Sequence, residues 1–158
     1  MSRRYSTVAV GGTFDHFHKG HEVLISNCFE IGERVVIGIT SDSFAAKLSK
    51  RTDQPYDERI LALESFISVR FPKRKFEIHK LEDYFGPAVI EEDVQAIVVT
   101  KETAERAKIA NKERIKRGLK PLEAVIIDFV VAQDGKPISS TRIIRGEISR
   151  EGKVLKRI

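Results

Sequence analysis

The sequence predicts an α/β domain in which five parallel strands form one sheet with helices on both faces. Short runs rich in Val and Ile alternate with segments of helical periodicity, a pattern typical of parallel strands joined by right-handed crossovers. Several runs are almost continuously apolar, as in strands that are covered on both faces. A glycine turn joins the first run directly to a helical segment. No repeat or linker divides the chain, so residues 1–158 are predicted to form one domain.

The individual elements follow from their residues. The first helix carries an apolar stripe at Leu24, Cys28 and Ile31. The third helix opens with Asp57-Glu58, which suits the positive end of a helix, and Pro72 stops its pattern. Strands are predicted over residues 6–10, 34–40, 75–81, 96–100 and 123–131, and helices over residues 20–31, 41–49, 57–70 and 101–117, with a last helix beginning at Ser139 or Ser140.

Composition narrows the class of protein. The 158 residues are 41% hydrophobic and 32% charged, which is typical of a water-soluble globular protein. The apolar runs are too short to cross a bilayer, and no signal-peptide core follows the basic start. The cytoplasm is therefore the expected compartment, with no membrane partner. The net charge of +5 suits an anionic ligand, and the single cysteine excludes an intrachain disulfide.

Residues 11–21, Gly-Gly-Thr-Phe-Asp-His-Phe-His-Lys-Gly-His, have the features of a phosphate-binding turn. Paired glycines allow close backbone approach, and the free N–H groups of a helix start attract phosphate oxygens. The chain has neither a P-loop nor the third glycine of the dinucleotide fingerprint. His18 and His21 add donors that can follow charge developing on phosphorus.

Three polar segments follow the carboxyl ends of predicted strands. They are residues 11–21, residues 40–50 and the helix start after Thr100. Ligands of open α/β sheets bind beyond these ends. We therefore expect the three segments to converge on one cleft.

Two motifs carry a resemblance to a known family. Gly12-Thr13-Phe14-Asp15 with His18-Lys19-Gly20-His21 resembles the T/HxGH signature of the nucleotidyltransferase superfamily, and residues 138–145, Ile-Ser-Ser-Thr-Arg-Ile-Ile-Arg, resemble its ISSTxxR motif. Further blocks at residues 54–59, 83–88 and 98–103 are similar to the phosphopantetheine adenylyltransferases of archaea and to the corresponding domain of eukaryotic CoA synthase. The resemblance implies the Rossmann-like fold of that superfamily.

The resemblance also implies an activity, which is transfer of AMP from ATP to 4′-phosphopantetheine, giving dephospho-CoA and pyrophosphate. Mg²⁺ would enter with ATP, because it prefers phosphate oxygens and water to a protein cage. The acceptor phosphate can attack the α-phosphorus directly, so the site needs positioning and charge neutralisation but no covalent intermediate. A histidine at the positive end of a helix should be disfavoured in its protonated form, so at least one is expected to act as a neutral N–H donor.

By motif position, the resemblance assigns roles to individual residues. His18 and His21 would be catalytic and hold the ATP phosphates, while Thr13 and Asp15 would contact the acceptor. A lysine after the second strand would bridge both substrates, and Lys47 and Lys50 both qualify. Residues 83–88 would form a wall for the pantetheine arm. The remaining ATP contacts would come from Gly12, Thr13, Phe14, Ser139, Ser140, Thr141 and Arg145.

Other interpretations stay open on the sequence alone. His16, His18 and His21 form a possible metal set, but zinc normally takes four ligands, or three and a water. The acceptor could instead be FMN, nicotinamide mononucleotide or glycerol phosphate, or the chain could bind nucleotide or RNA without catalysis. Charges of helix 101–117 are interpreted mainly as a solvated face, with Arg106, Asn111 and Arg114 as candidates to face the nucleotide. No nucleic-acid module and no oligomerisation pattern is present in the sequence.

Overall fold

A computed structural model describes residues 3–48 and 52–155. It contains the predicted five-stranded parallel sheet. In chain order the elements are β1 (Tyr5–Gly12), α1 (Lys19–Ile31), β2 (Gly32–Thr40), α2 (Asp42–Lys47), α3 (Tyr56–Arg70), β3 (Lys75–Leu81), α4 (Pro87–Ile90), β4 (Ala96–Thr100), α5 (Glu105–Lys116), β5 (Glu123–Ile127) and α6 (Ser140–Ile144).

The strand order β3-β2-β1-β4-β5 places a topological switch point between β1 and β4. Pairing of β1 with β2 runs to Gly12↔Ile39. Pairing of β1 with β4 ends much earlier, at Ala9↔Ile97. The two central strands therefore part before their carboxyl ends, and an open α/β sheet binds its ligands in such a crevice.

Helices cover both faces of the sheet, as predicted. On one face Val8 and Val10 pack in a core with α1 and α3, and on the other Ala9 packs in a second core with α4 and α5. Alternation along β1 divides the side chains between these two layers. Within the described residues, no helix is both long and apolar enough to span a membrane.

The larger differences from the predicted elements concern β5, α5 and α4. β5 ends at Ile127 because its single partner β4 ends opposite it at Thr100, and Val131 instead bridges antiparallel to Pro137. α5 begins at Glu105, since Thr100 and Thr103 hydrogen-bond each other in an intervening turn. The one-turn helix α4 was not predicted, and Ser49, the predicted end of α2, lies outside the described residues.

The segment after β5 folds back onto the glycine turn. A small core of Ala132, Ile138 and Ile148 gives it its own packing. The Lys19 N–H donates to the Arg150 carbonyl at 2.9 Å. The Ser140 hydroxyl donates to the Asp15 carbonyl at 2.7 Å, although the two residues are 125 positions apart. The two predicted motifs are therefore in direct contact.

Arg59 is a fully buried cation that joins the ends of β1 and β2. Its Nη1 donates to the carbonyls of Thr13 and Thr40, each at 2.8 Å. Nε donates to the Gln54 carbonyl at 3.1 Å, and Nη2 pairs with the Asp42 carboxylate at 2.8 Å. Guanidinium is suited to this position because it presents several fixed donors and remains charged.

We predict that Arg59→Met lowers the free energy of unfolding by about 3 kcal/mol or more, because several buried carbonyls lose their donor. Urea titration of the full chain measures this loss. The control is Arg70→Met, at the exposed end of the same helix, which should cost less than about 1 kcal/mol. Equal losses for the two variants would contradict the role given to Arg59.

Candidate active site

The two motif histidines cap helix α1 with their own rings. His18 is the N-cap residue, and its Nδ1 accepts the backbone N–H of Gly20 at 3.0 Å and of His21 at 3.4 Å. The Nδ1 of His21 accepts the N–H of His18 at 3.2 Å. This is a capping box, in which imidazole nitrogens replace the usual hydroxyl and carboxylate oxygens.

The cap determines where each ring carries its proton. A backbone N–H can only donate, so both Nδ1 atoms must be unprotonated, and each neutral ring therefore carries its proton on Nε2. The rings are stacked, with centroids 3.6 Å apart and planes at 20°. Two positive charges at that distance would repel strongly. The geometry therefore favours two neutral Nε2–H donors.

Burial has the same effect on the protonation of both rings. It lowers the pKa of His18 to about 4, with the neighbouring His16 adding to the shift. It also holds the pKa of His21 well below the usual 6.5, with His18 as the second cause. Desolvation penalises the charged form of an imidazole. Both rings are therefore neutral at pH 7, mainly through burial rather than through the helix end considered in the sequence.

Close packing holds the rings in place. The Phe14 ring is 1% exposed and lies 5.2 Å from the His21 ring, centroid to centroid. A Cβ on Gly12 would lie 3.1 Å from the Phe14 ring, and one on Gly20 would lie 2.9 Å from the His18 ring. Phe14 and His16 adopt positive φ angles of 54° and 45°, a strained conformation for residues other than glycine. Phe14 lines the adjoining cleft although its ring is buried, and its predicted contact with ATP stays a prediction.

Asp15 braces the turn against the loop that precedes α3. Its two carboxylate oxygens accept the backbone N–H groups of Asp53 at 2.9 Å and Gln54 at 3.0 Å. The Gln54 side chain in turn accepts the N–H of His16 at 2.9 Å. Asp15 is 2% exposed. This carboxylate therefore positions a loop, with a backbone partner for each oxygen, and its predicted contact with the acceptor stays a prediction.

A polar cleft of about 1450 Å³ opens beside the capped end of α1. Two of the three predicted segments contribute to it extensively, and the third contributes Leu48. Thr13 accepts a hydrogen bond from the Thr40 hydroxyl at 3.2 Å. The cleft is lined by Gly11–Asp15, His18, Gly20, His21, Leu24, Leu48, Thr100, Glu102, Thr103, Arg106, 127–130 and 138–141.

Two predicted cations, Lys47 and Arg145, are not among the residues that line the cleft. Lys47 ends α2 and is exposed, and Lys50 lies outside the described residues. Arg145 is exposed at the end of α6, beyond the residues that line the cleft. Arg142, the other arginine of the second motif, pairs with Asp134 and Glu147. Arg145 thus remains the motif arginine available to a ligand, and its role stays a prediction, as does the choice between the lysines.

A second, apolar cavity adjoins the cleft. Its walls come from Val36, Phe44, Leu81 and Val99, and from most of the 83–88 segment that was predicted to face the pantetheine arm. Gly11, Leu48 and Arg106 line both spaces. Periodicity could not reveal this cavity, because its lining comes from strands, loops and helices that are distant in sequence.

Two candidates on α5 do not line the cleft. Asn111 pairs through its side-chain amide with both backbone groups of Leu122. Arg114 is 1% exposed and donates to the carbonyls of Lys120, Ala88 and Glu91. Both residues therefore join α5 to neighbouring loops. Of the three basic or amide candidates on this helix, Arg106 alone lines the cleft.

The fold and the site define the class. The model of the cytidylyltransferase-like family matches residues 9–146, most of the chain. In keeping with this, a protein of unknown function from Archaeoglobus fulgidus has a similar solved structure, with a TM-score of 0.70 and 28% identity, over 84% of this chain and 99% of that one.

Sequence relatives narrow the class to one family. A phosphopantetheine adenylyltransferase of Methanothermobacter thermautotrophicus is 46% identical over 158 residues, which is 100% of this chain and 94% of the relative. One from Methanosarcina acetivorans is 47% identical over 93% of this chain and 94% of its own length. The chain belongs to the phosphopantetheine adenylyltransferase family.

We predict that acidification removes stability through His18. The unfolded ring binds a proton near pH 6.5 and the folded ring near pH 4, so the unfolded state holds more protons between these values. Stability is then present above pH 6.5 and is lost as the pH falls towards 4, by about 3 kcal/mol for this residue. His18→Asn keeps a good N-cap and removes this titration. Urea unfolding at steps from pH 7 to 4.5 should therefore show a shallower slope for the variant, and identical slopes would contradict the assignment.

Proposed function

We infer that this protein transfers the adenylyl group of ATP to 4′-phosphopantetheine, giving dephospho-CoA and pyrophosphate. The observation that carries this proposal is the junction of two unlike spaces at the end of β1. One is a polar cleft with two imidazole donors, suited to phosphates. The other is apolar, suited to an uncharged flexible arm. Close relatives that carry the name of this activity support it independently.

The reaction is a direct displacement. A phosphate oxygen of the acceptor forms a bond to the α-phosphorus of ATP, and the bond from that phosphorus to the bridging oxygen breaks to release pyrophosphate. The attacking oxygen is already ionised, so no general base is needed. The protein holds the two anions in line and neutralises the charge that develops on the phosphorus oxygens.

The neutral imidazoles supply donors in this scheme. The Nε2–H groups of His18 and His21 donate to phosphate oxygens of ATP, beside the N-terminal end of α1. Thr13 orients the acceptor phosphate, with its hydroxyl held by Thr40. Ser139, Ser140, Thr141 and Arg145 hold the β- and γ-phosphates. Lys47 or Lys50 bridges the phosphates of the two substrates.

Mg²⁺ enters with ATP as part of the substrate. Three carboxylates line the cleft, namely Asp15, Glu102 and Asp128. Asp15 accepts backbone N–H groups, and Asp128 pairs with Lys101. Within the described residues, the one metal-capable trio is Glu77, His79 and Glu91, outside the cleft lining, where Arg34 pairs with both glutamates. A cleft without a carboxylate cage suits Mg²⁺ held by phosphate oxygens and water.

The adjoining cavity favours this acceptor over others of the same superfamily. Glycerol phosphate has no apolar extension, and a nucleotide such as FMN or nicotinamide mononucleotide would present polar edges to an apolar lining. The cytoplasm, where ATP and both products circulate, is the proposed compartment. A purely binding role has less support, because both capping histidines face the cleft.

Pyrophosphate release from the full chain, assayed with each acceptor and each nucleoside triphosphate, tests the proposal. We expect turnover with ATP and 4′-phosphopantetheine, with dephospho-CoA identified by mass. Turnover with FMN, nicotinamide mononucleotide or glycerol phosphate, together with none on 4′-phosphopantetheine, would overturn it. ATP binding without turnover of any acceptor would favour the binding role.

We predict that His21→Ala lowers kcat by about 100-fold or more, the usual loss when a donor to developing charge is removed, while ATP binding changes much less. Steady-state kinetics and calorimetric titration of ATP measure the two effects. The control is His79→Ala, on β3 outside the cleft lining. If His21→Ala bound ATP and turned over as fast as the wild type, the donor role would be wrong.

A further inference from the structure

Arg106, the second residue of α5, lies where the polar cleft meets the apolar cavity. Of the described residues, Gly11, Leu48 and Arg106 line both spaces, and only Arg106 is charged. Its Nη1 donates to the Gly11 carbonyl at 3.1 Å. That carbonyl belongs to the part of β1 beyond its pairing with β4, which ends at Ala9↔Ile97. The guanidinium therefore sits in the crevice at the topological switch point.

Arg106 forms no ion pair within the described part of the chain. No carboxylate there lies within 4.0 Å of its guanidinium, whereas Arg34, Arg59 and Arg142 each pair with at least one. The bond to Gly11 uses one of five N–H donors. Burial lowers the pKa of Arg106, against the opposing influence of Tyr84 and Glu102. A half-buried cation with unused donors is a site for an anion.

The arrangement of the two substrates in the reaction indicates which anion binds at Arg106. We propose that Arg106 binds the phosphate of the acceptor and so makes the enzyme specific for a phosphorylated acceptor, an inference that rests on the proposed function. In the displacement, the acceptor phosphate must face the α-phosphate of ATP in the polar cleft while its uncharged arm occupies the apolar cavity. The phosphate then lies at the junction, where Arg106 lies. The β- and γ-phosphates have separate candidate partners in residues 139–141.

Arginine is suited to this task by shape as well as by charge. Its planar fork can hold two phosphate oxygens at once, and the bond to Gly11 fixes its orientation before the ligand arrives. Its charge also offsets the repulsion between the two anionic substrates. Arg114 on the same helix makes the contrast clear, because its donors are taken up by backbone carbonyls.

The test compares two acceptors that differ only in the phosphate. Isothermal titration without ATP measures binding of 4′-phosphopantetheine and of pantetheine to the wild-type chain and to Arg106→Met, Arg106→Lys and Lys108→Met. Lys108 is an exposed neighbour on the same helix and serves as the matched control. We expect Arg106→Met to weaken 4′-phosphopantetheine by about 10- to 100-fold, the range for a charged hydrogen-bonding partner, and to leave pantetheine unchanged.

Arg106→Lys and Lys108→Met have their own expected results. Arg106→Lys should recover part of the preference for the phosphorylated acceptor, because it restores the charge without the fork, and Lys108→Met should behave as wild type. In steady-state assays the KM for 4′-phosphopantetheine should rise in Arg106→Met, with the KM for ATP changing less than about 3-fold. If Arg106→Met does not fold, Arg106→Lys is measured in its place. It should bind 4′-phosphopantetheine more weakly than the wild type does and bind pantetheine equally well.

Different results would contradict the role of Arg106 and the proposed function. A wild-type preference for 4′-phosphopantetheine that survives in Arg106→Met, or a loss confined to ATP, would overturn this inference and leave the proposed function intact. Absence of turnover by the wild-type chain with ATP and 4′-phosphopantetheine would overturn the proposed function, and this inference with it.

Discussion

The buried guanidinium of Arg59 is the constraint on which the site depends. Its acceptors come from the residue after β1, the end of β2, the loop before α3 and the first residue of α2. At the carboxyl ends of parallel strands, carbonyls have no further strand partner and must find other donors. One arginine satisfies two of them, together with the Gln54 carbonyl of the loop before α3, and so fixes the relative positions of the segments that surround the cleft.

Asp15 makes a second set of contacts that link the segments of the site. Asp15 accepts two backbone N–H groups from the loop that follows the candidate lysines, and Ser140 donates to the Asp15 carbonyl from the second motif. Asp15 therefore lies between both ends of the site. Because these contacts link segments far apart in sequence, the histidine turn, the loop at residues 53–54 and the second motif are held together before any ligand binds.

The histidine cap joins local structure to chemistry through the same atoms. Each Nδ1 satisfies helix N–H groups that would otherwise lack an acceptor, and this leaves Nε2–H as the only donor each ring can offer. Burial keeps both rings neutral. Two charged imidazole rings would bind the phosphates more strongly already in the ground state. Fixed neutral N–H donors instead bind more strongly as negative charge develops on the phosphate oxygens in the transition state.

Local sequence signals predicted most of the fold and part of the cleft lining. Val/Ile runs, helical spacing and the glycine turn fixed the five strands and their crossovers, and the two motifs identified the capped histidines and the 139–141 segment. What remained unpredicted depends on distant partners. β5 ends early because β4 does, Asp15 turns to a loop 38 residues away, and Arg59 and Arg106 resemble other charged helix residues until the strand ends that they contact are in place.

Nitrogen NMR of the imidazoles tests the central claim most directly. The chain has four histidines, and two-bond correlation of ring nitrogens with ring protons distinguishes the tautomers and the protonated form, with His18→Asn and His21→Asn providing the assignments. At pH 7, and still at pH 5, His18 and His21 should both be neutral with the proton on Nε2. A protonated ring at pH 7, or a proton on Nδ1 of either residue, would contradict the account.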